Sequence, residues 1–323
     1  MNKSVAKQAR SRRKAKRAPA AAAPGRRGAK PTLGAGFARQ LALLRLDSAI
    51  AIVSQRGAVS DKGIHETRKA IKRVRALLRL LRPAIPAKVF DACKDGLREA
   101  ARSIADARDA RVVADTLRAL TRQSRISRSS VSLRDAGAAR AAKAPRQGAV
   151  AQRIVARSHL SDVREQLAGV ELSSNAWALL GAGVRSIYSR GRRRMPVRER
   201  NATTEDLHEW RKEVKAYWHA LELFQAANPS KPSADVRDAH RLSDLLGEDH
   251  DLALLESRIV KRAGAKRAKA HGVLLKSIVA KRARLQKRAR KLGVRLYSAA
   301  SKEVERKLRA EWLRSQRDAA RRK

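Results

Sequence analysis

Two segments of the chain carry the same cations at the same spacing. HETRKAIKRVRALLRLL begins at His65 and HEWRKEVKAYWHALELF at His208; seven of the seventeen positions are identical without a gap, at an offset of 143. On a helix turning ~100° per residue, His65, Arg68, Lys69, Lys72, Arg75 and Arg79 fall along one side. Ile71, Val74, Leu78 and Leu81 fall along the other. The second segment sets His208, Arg211, Lys212, Lys215 and His219 against Trp210, Val214, Tyr217, Leu221 and Phe224. Each segment therefore offers an apolar back to a bundle and a cationic stripe to an anion.

The plain alternative is an ordinary solvated face. Such faces mix signs, because like charges one turn apart cost ~0.2–0.5 kcal/mol a pair. The first stripe instead stacks cation on cation over four turns, and the stripe occurs twice in register. Both histidines stand near a helix start, after Asp61 and after Thr203-Thr204 as candidate caps. A helix N-terminus presents free N–H groups to an anion. A histidine among cations stays neutral until phosphate arrives and then donates a hydrogen bond; the other reading is a buried histidine bonded to a backbone carbonyl.

A second pair of blocks follows downstream: IADARDARVV from Ile104 and LGEDHDLALL from Leu246, at an offset of 142. Their matched acids, Asp109 and Asp251, come 44 and 43 residues after the histidines, with Arg108 and His250 beside them. A carboxylate so placed orients the histidine or an arginine, or else forms a plain salt bridge within a bundle.

The elements that must position these residues are helices. From Phe37 onward Leu, Ile and Val recur at three- and four-residue spacing, and strand-like alternation is nearly absent. Pro83 and Pro86 end one helix, and 123–148, 195–201 and 228–233 read as loops. This leaves about four helices before Leu172, four from Ser174 onward and a charged helix near the C-terminus. The expected fold is all-α: two four-helix bundles related by internal duplication, 37–172 and 173–300, with a charged helix over 301–323. Residues 1–36 hold eleven Lys or Arg and no acid, and are expected to form a disordered basic tail.

Composition narrows the partners. The chain has 323 residues and a formal charge of +46, with 43% hydrophobic residues, enough for a core. Aromatics at 3% argue against a surface that stacks many bases. One cysteine, Cys93, excludes an intrachain disulfide and a cysteine-built metal cluster. The longest uncharged run in the folded part, Leu172 to Val184, is 13 residues; a membrane span needs ~20. The N-terminus has no apolar segment of the secretory kind, and the expected compartment is the cytoplasm. The counter-charge sought is a polyanion: nucleic acid, anionic membrane or polymeric phosphate.

The HxxRKxxK segments at 65 and 208, with ARD at 107–109 and LLGxxxDLALL at 245–255, resemble the CHAD family, helical domains named for conserved histidines. The likeness runs from about Phe37 to Ala299. It implies two four-helix bundles with pseudo-twofold symmetry, and basic surfaces around a central groove or pore that binds inorganic polyphosphate. Carried over by position, the binding residues are His65, Arg68, Lys69, Lys72 and Arg75, with His208, Arg211, Lys212 and Lys215. The second stripe is thinner, with Ala216, Trp218 and Glu222 where the first has Arg73, Arg75 and Arg79. Some members are fused to a CYTH triphosphatase, whose ExExK signature occurs literally at Glu303 to Lys307. Here that pattern lies in a helical stretch with 16 residues after it, too few for a β-tunnel domain.

The expectation is therefore a polyphosphate-binding protein without catalytic residues, metal or cofactor, placed in the cytoplasm at polyphosphate granules or the nucleoid. Its rival is a sequence-independent DNA- or nucleoid-associated protein that uses the basic tail. A lesser alternative is a helical metal phosphohydrolase built on His208, His240 and His250-Asp251, against which Arg108 stands as the non-ligating counterpart of His250. Insertion into a membrane is not expected, because the apolar faces are needed inside the bundles.

Overall fold

The computed structural model describes residues 35–56, 59–104, 116, 117, 120, 149–172, 176–196, 202–227, 233–268 and 272–320; every regular element among them is helical. In chain order these are α1 (Ala35–Val53), α2 (Asp61–Leu80), a short 3-10 turn (Arg82–Ala84), α3 (Ala87–Ser103) and α4 (Ala149–Ala168). Then follow α5 (Ala176–Arg194), α6 (Thr204–Ala227), α7 (Ala234–Ala268), α8 (Gly272–Leu296) and α9 (Ser301–Ala320). The tail expected over 1–36 lies outside the described residues except for Ala35 and Gly36, which open α1. Arg108, Asp109 and the stretch 123–148 also lie outside them.

The two helices with matched segments begin on different caps. Ser60, not Asp61, caps α2: its Oγ accepts from the Gly63 N–H at 3.1 Å. Asp61 occupies the first turn, where a carboxylate faces the positive end of the helix dipole. Thr203 caps α6 in a reciprocal arrangement. Its Oγ1 accepts from the Asp206 N–H at 3.1 Å, while its own N–H donates to Asp206 Oδ2 at 2.9 Å. The far end of α2 is cut at Leu80; Pro83 falls in the 3-10 turn and Pro86 stands directly before α3. The Arg82 guanidinium lies 4.5 Å over the Phe90 ring and fastens this corner.

α1 packs on α2 and α4, and α3 packs on α2 and α4. Further along, α6 packs on α5 and α7, α7 on α8, and α9 on α5 and α6. The groups meet where α2 lies on α5 and α6. Small residues permit the close approaches. Ala38, Ala42 and Ala49 recur with Leu46 and Val53 as the buried stripe of α1. A Cβ on Gly293 of α8 would stand 2.6 Å from the Trp210 ring of α6, so only glycine lets the two helices close. Large rings concentrate after residue 172: Trp210, Tyr217, Tyr188 and Tyr297 are all buried. Tyr188 lies 5.3 Å from Tyr217 and 5.2 Å from Tyr297, ring centre to ring centre.

Candidate anion-binding helices

α2 and α6 are joined by two ion pairs that fix their relative sense. Arg73 of α2 reaches Glu222 of α6 at 3.2 Å, and Arg79 pairs with the buried Glu213, which Arg190 of α5 also approaches at 3.5 Å. Six residues forward on α2 correspond to nine backward on α6, so the helices run in opposite directions. At 1.5 Å per residue this sets His65 and His208 on the order of 30 Å apart, at opposite ends of the pair. The two histidines therefore belong to two separate places, and the cation stripes extend inward from them.

On α2, Arg68 and Arg75 lean onto α3. Arg68 Nη1 donates to the Ile104 carbonyl at 3.5 Å and Arg75 Nη2 to the Leu97 carbonyl at 3.0 Å. Burial, with Arg68 and Arg98 nearby, holds the Arg75 guanidinium below its ordinary value. His65 is exposed, and Lys69, 3.7 Å from Glu66, and Lys72 are half-exposed. Arg79 leaves the stripe for its pair with Glu213.

On α6, His208 meets His250 of α7 with ring centres 4.8 Å apart. Each Nδ1 is buried with no hydrogen-bond partner among the described residues. Burial first, then His250 and Lys212, holds the His208 imidazole below its usual value, so it is neutral at neutral pH. Arg211 lies against Gly247 of α7, where a Cβ would come within 3.3 Å of Nη2. Arg211 and Lys215 line a cleft of about 290 Å³ together with Asp251 of α7 and Lys281 of α8. Lys212 pairs with Glu209 on its own helix, as Lys69 does with Glu66.

His219 is placed differently from the rest of its stripe. It is 7% exposed, and its Nδ1 is 2.8 Å from Glu222 Oε2. Burial pushes its imidazole down while Glu222 draws it up. It faces a separate cavity of about 520 Å³ lined also by Arg45 and Arg73. The histidines weighed for metal chemistry disperse: His240 stacks on Trp218 with centres 4.2 Å apart, away from the His208–His250 pair. Among the described residues no three His, Cys, Asp or Glu side chains gather to hold a metal ion.

The literal ExExK residues sit on α9 and have intramolecular partners. Glu303 accepts from the Ala300 N–H at 3.3 Å, Glu305 pairs with Arg185, and Lys307 reaches Asp235 at 2.5 Å.

A further group of cations lies outside the repeat. Lys276, Arg284 and Arg288 stand along one side of α8 at multiples of four residues, a signal visible in the chain. They belong to neither pair of matched blocks, so the repeat does not point to them.

The described elements are helices alone, and the matched cations lie on two of them, α2 and α6. The sequence model of the CHAD domain family matches residues 41–260, and the chain belongs to that family. Its structure is similar to the crystal structure of the CHAD domain from the plant Ricinus communis. The two share 17% identity with a TM-score of 0.48, over 90% of this chain and 96% of that one. No curated protein matches the chain. No described helix is long and apolar enough to cross a membrane.

Proposed function

We propose that this protein binds inorganic polyphosphate through the cationic faces of α2 and α6, and that it works by binding alone, without catalysis. The observation that carries the reading is the bonding of Arg68 and Arg75 to backbone carbonyls of the neighbouring helix, with Arg211 lying against Gly247 at the matched position. Arginines held in advance lose little rotamer freedom when they meet phosphate oxygens. Family membership supports the same reading, since CHAD domains are linked to polyphosphate in general.

The matched blocks support duplication of one unit. Arg68 meets Ile104 in the first half, and Arg211, its partner at offset 143, meets Gly247 in the second. Each half thus offers its own cationic end, and a flexible polyanion is gripped by neutralising successive phosphates with release of counterions. The tail of residues 1–36 adds non-specific affinity and tethers the protein to granules or the nucleoid.

The test is a competition titration of long-chain polyphosphate against duplex DNA at ~150 mM salt, where weak exposed contacts are screened. It is run on the full chain and on a chain shortened by residues 1–34, which leaves α1 whole. Polyphosphate winning by about a hundredfold in both supports the reading. Equal competition, or loss of all binding with the tail, replaces it with a general polyanion-binding protein of the nucleoid.

A further inference from the structure

The cleft beside α6 does not end there. Glu248 and Lys281, which line the 290 Å³ cleft with Arg211 and Lys215, also line a second cleft of about 780 Å³ that runs along α8. Lys276, Arg284 and Arg288 form the cationic wall of this second cleft. All three are exposed, and among the described residues none forms an ion pair with a carboxylate. Arg284 Nε donates only within its own helix, to the Ala280 carbonyl at 3.3 Å. The acid at the junction, Glu248, is already taken by Lys281 at 2.6 Å. Helix α8 lies beyond residue 260, the last that the family model matches.

The charge pattern is directional. In the first cleft, Arg211 and Lys215 are interleaved with Asp244 and Asp251. Among the described residues the second is lined by no acid other than the paired Glu248. Its cations span twelve residues of α8, about 18 Å. None of the three lines the α6 cleft, so a compact anion seated between Arg211 and Lys215 is held without them. A linear, flexible polyanion seated there can continue past Lys281 and run along α8, gaining one neutralised phosphate for each cation it passes.

We infer that α8 carries a second binding segment continuous with the α6 cleft, and that this segment makes the affinity of the protein depend on the length of the polyanion. The inference rests on the polyphosphate reading and adds a property to it. Short chains fill the α6 cleft alone; long chains fill both. The residues of α8 that face the track are Lys276, Arg284 and Arg288, whereas Arg282 on the same helix is committed to Asp249 at 3.2 Å and Glu256 at 2.7 Å.

The experiment titrates the full chain with tripolyphosphate and with long-chain polyphosphate, beside the double variant Arg284→Gln/Arg288→Gln. Both positions are exposed, and a thermal melt of the variant confirms that it folds as the parent does. The expected result is tripolyphosphate affinity within about twofold of the parent and long-chain affinity lowered about tenfold. The log–log salt slope for the long chain falls by ~1.4, or ~0.7 for each lost contact. Lys276→Gln alone gives the same pattern at about half the slope change. Unaltered long-chain affinity in the double variant overturns the inference, and so does an equal loss for both ligands. Failure of the parent reading looks different: the unmodified chain then shows no preference for either polyphosphate over duplex DNA.

Discussion

Helices α2 and α6 hold matched residues in matched places and do different things with them. Arg75 of α2 donates to the Leu97 carbonyl of α3; at the same offset of 143, Trp218 of α6 stacks on His240 of α7. Thr67 is buried on α2, bonded to the Gly63 carbonyl at 2.9 Å, where α6 buries Trp210. Arg79 on α2 corresponds to Glu222 on α6, and each forms an ion pair across to the other helix. The contacts between neighbouring helices are kept while their chemistry is exchanged. α2 spends its positions on cations; α6 spends them on rings that bury more apolar area. The second half then draws its additional positive charge from α8, through Lys281.

The comparison is broken most severely at the paired positions 67 and 210. Trp210 is 1% exposed and its ring fills the space left by Gly293. Trp210→Ala is expected to cost about 3–5 kcal/mol through the cavity it leaves. Thr67→Ala removes a hydroxyl that bonds only within its own helix and is expected to cost no more than about 1 kcal/mol. Chemical denaturation of both variants checks the pair, and equal losses would show that α6 is not the more ring-dependent helix.

Next in size is the buried carboxylate between the halves. Glu213 is 6% exposed and serves both Arg79 and Arg190. Glu213→Gln leaves two guanidiniums without their counter-charge and is expected to cost about 2–3 kcal/mol. The Glu222→Gln change, at a site with 29% of its side chain exposed, is expected to cost about 1 kcal/mol. Reversal of that order in melting curves would mean that the two crossings do not differ in burial as they do in the structure.

What the chain revealed follows what a helical repeat can encode. Spacing and the repeat located the two cationic helices and the helices around them, because apolar period and matched blocks are local signals. A helical wheel gives the azimuth of a side chain but not what the next helix brings opposite it. Arg79 and His219 therefore read as stripe residues and lie instead against Glu213 and Glu222. The matched acid, Asp251, reads as orienting the histidine, orienting an arginine or forming a plain salt bridge; in the structure it lines the cleft with Arg211, and its neighbour His250 is the residue that meets the His208 ring. Adjacent residues differ by ~100° around a helix, so an alignment of blocks leaves such a choice open. The cap of α2 stands one residue before Asp61 for a similar reason, since Ser60 and Asp61 both have capping side chains and the sequence alone does not choose between them.

A binding measurement sharpens the comparison between the stripes. Arg68→Ala with Lys72→Ala removes two cations from α2 and leaves its apolar back intact. Polyphosphate affinity is expected to fall about tenfold or more, and the log–log salt slope to flatten by ~1.4, with helicity unchanged by circular dichroism. The corresponding Arg211→Ala with Lys215→Ala should act in the same direction, with a smaller change because Asp244 and Asp251 already offset these two cations in their cleft. Unchanged binding in the first double variant would remove α2 from the site.

The smallest expected effect is on pH, and it belongs to the α6 end of the helix pair. His208 is held low by burial, by His250 and by Lys212, with Glu205 pulling the other way and Arg211 adding to the depression. Its neutral form is favoured by folding. Without ligand, that contribution to stability is therefore present above the usual histidine value near 6.5 and is lost as pH falls below it. With ligand the sign reverses, because a phosphate beside the ring favours the imidazolium. Polyphosphate affinity should rise about threefold between pH 7.5 and 5.5, with uptake of a proton on binding. His208→Gln should abolish most of that rise while leaving the affinity at pH 7.5 within about twofold. A rise of the same size in His208→Gln as in the parent would remove His208 from the site.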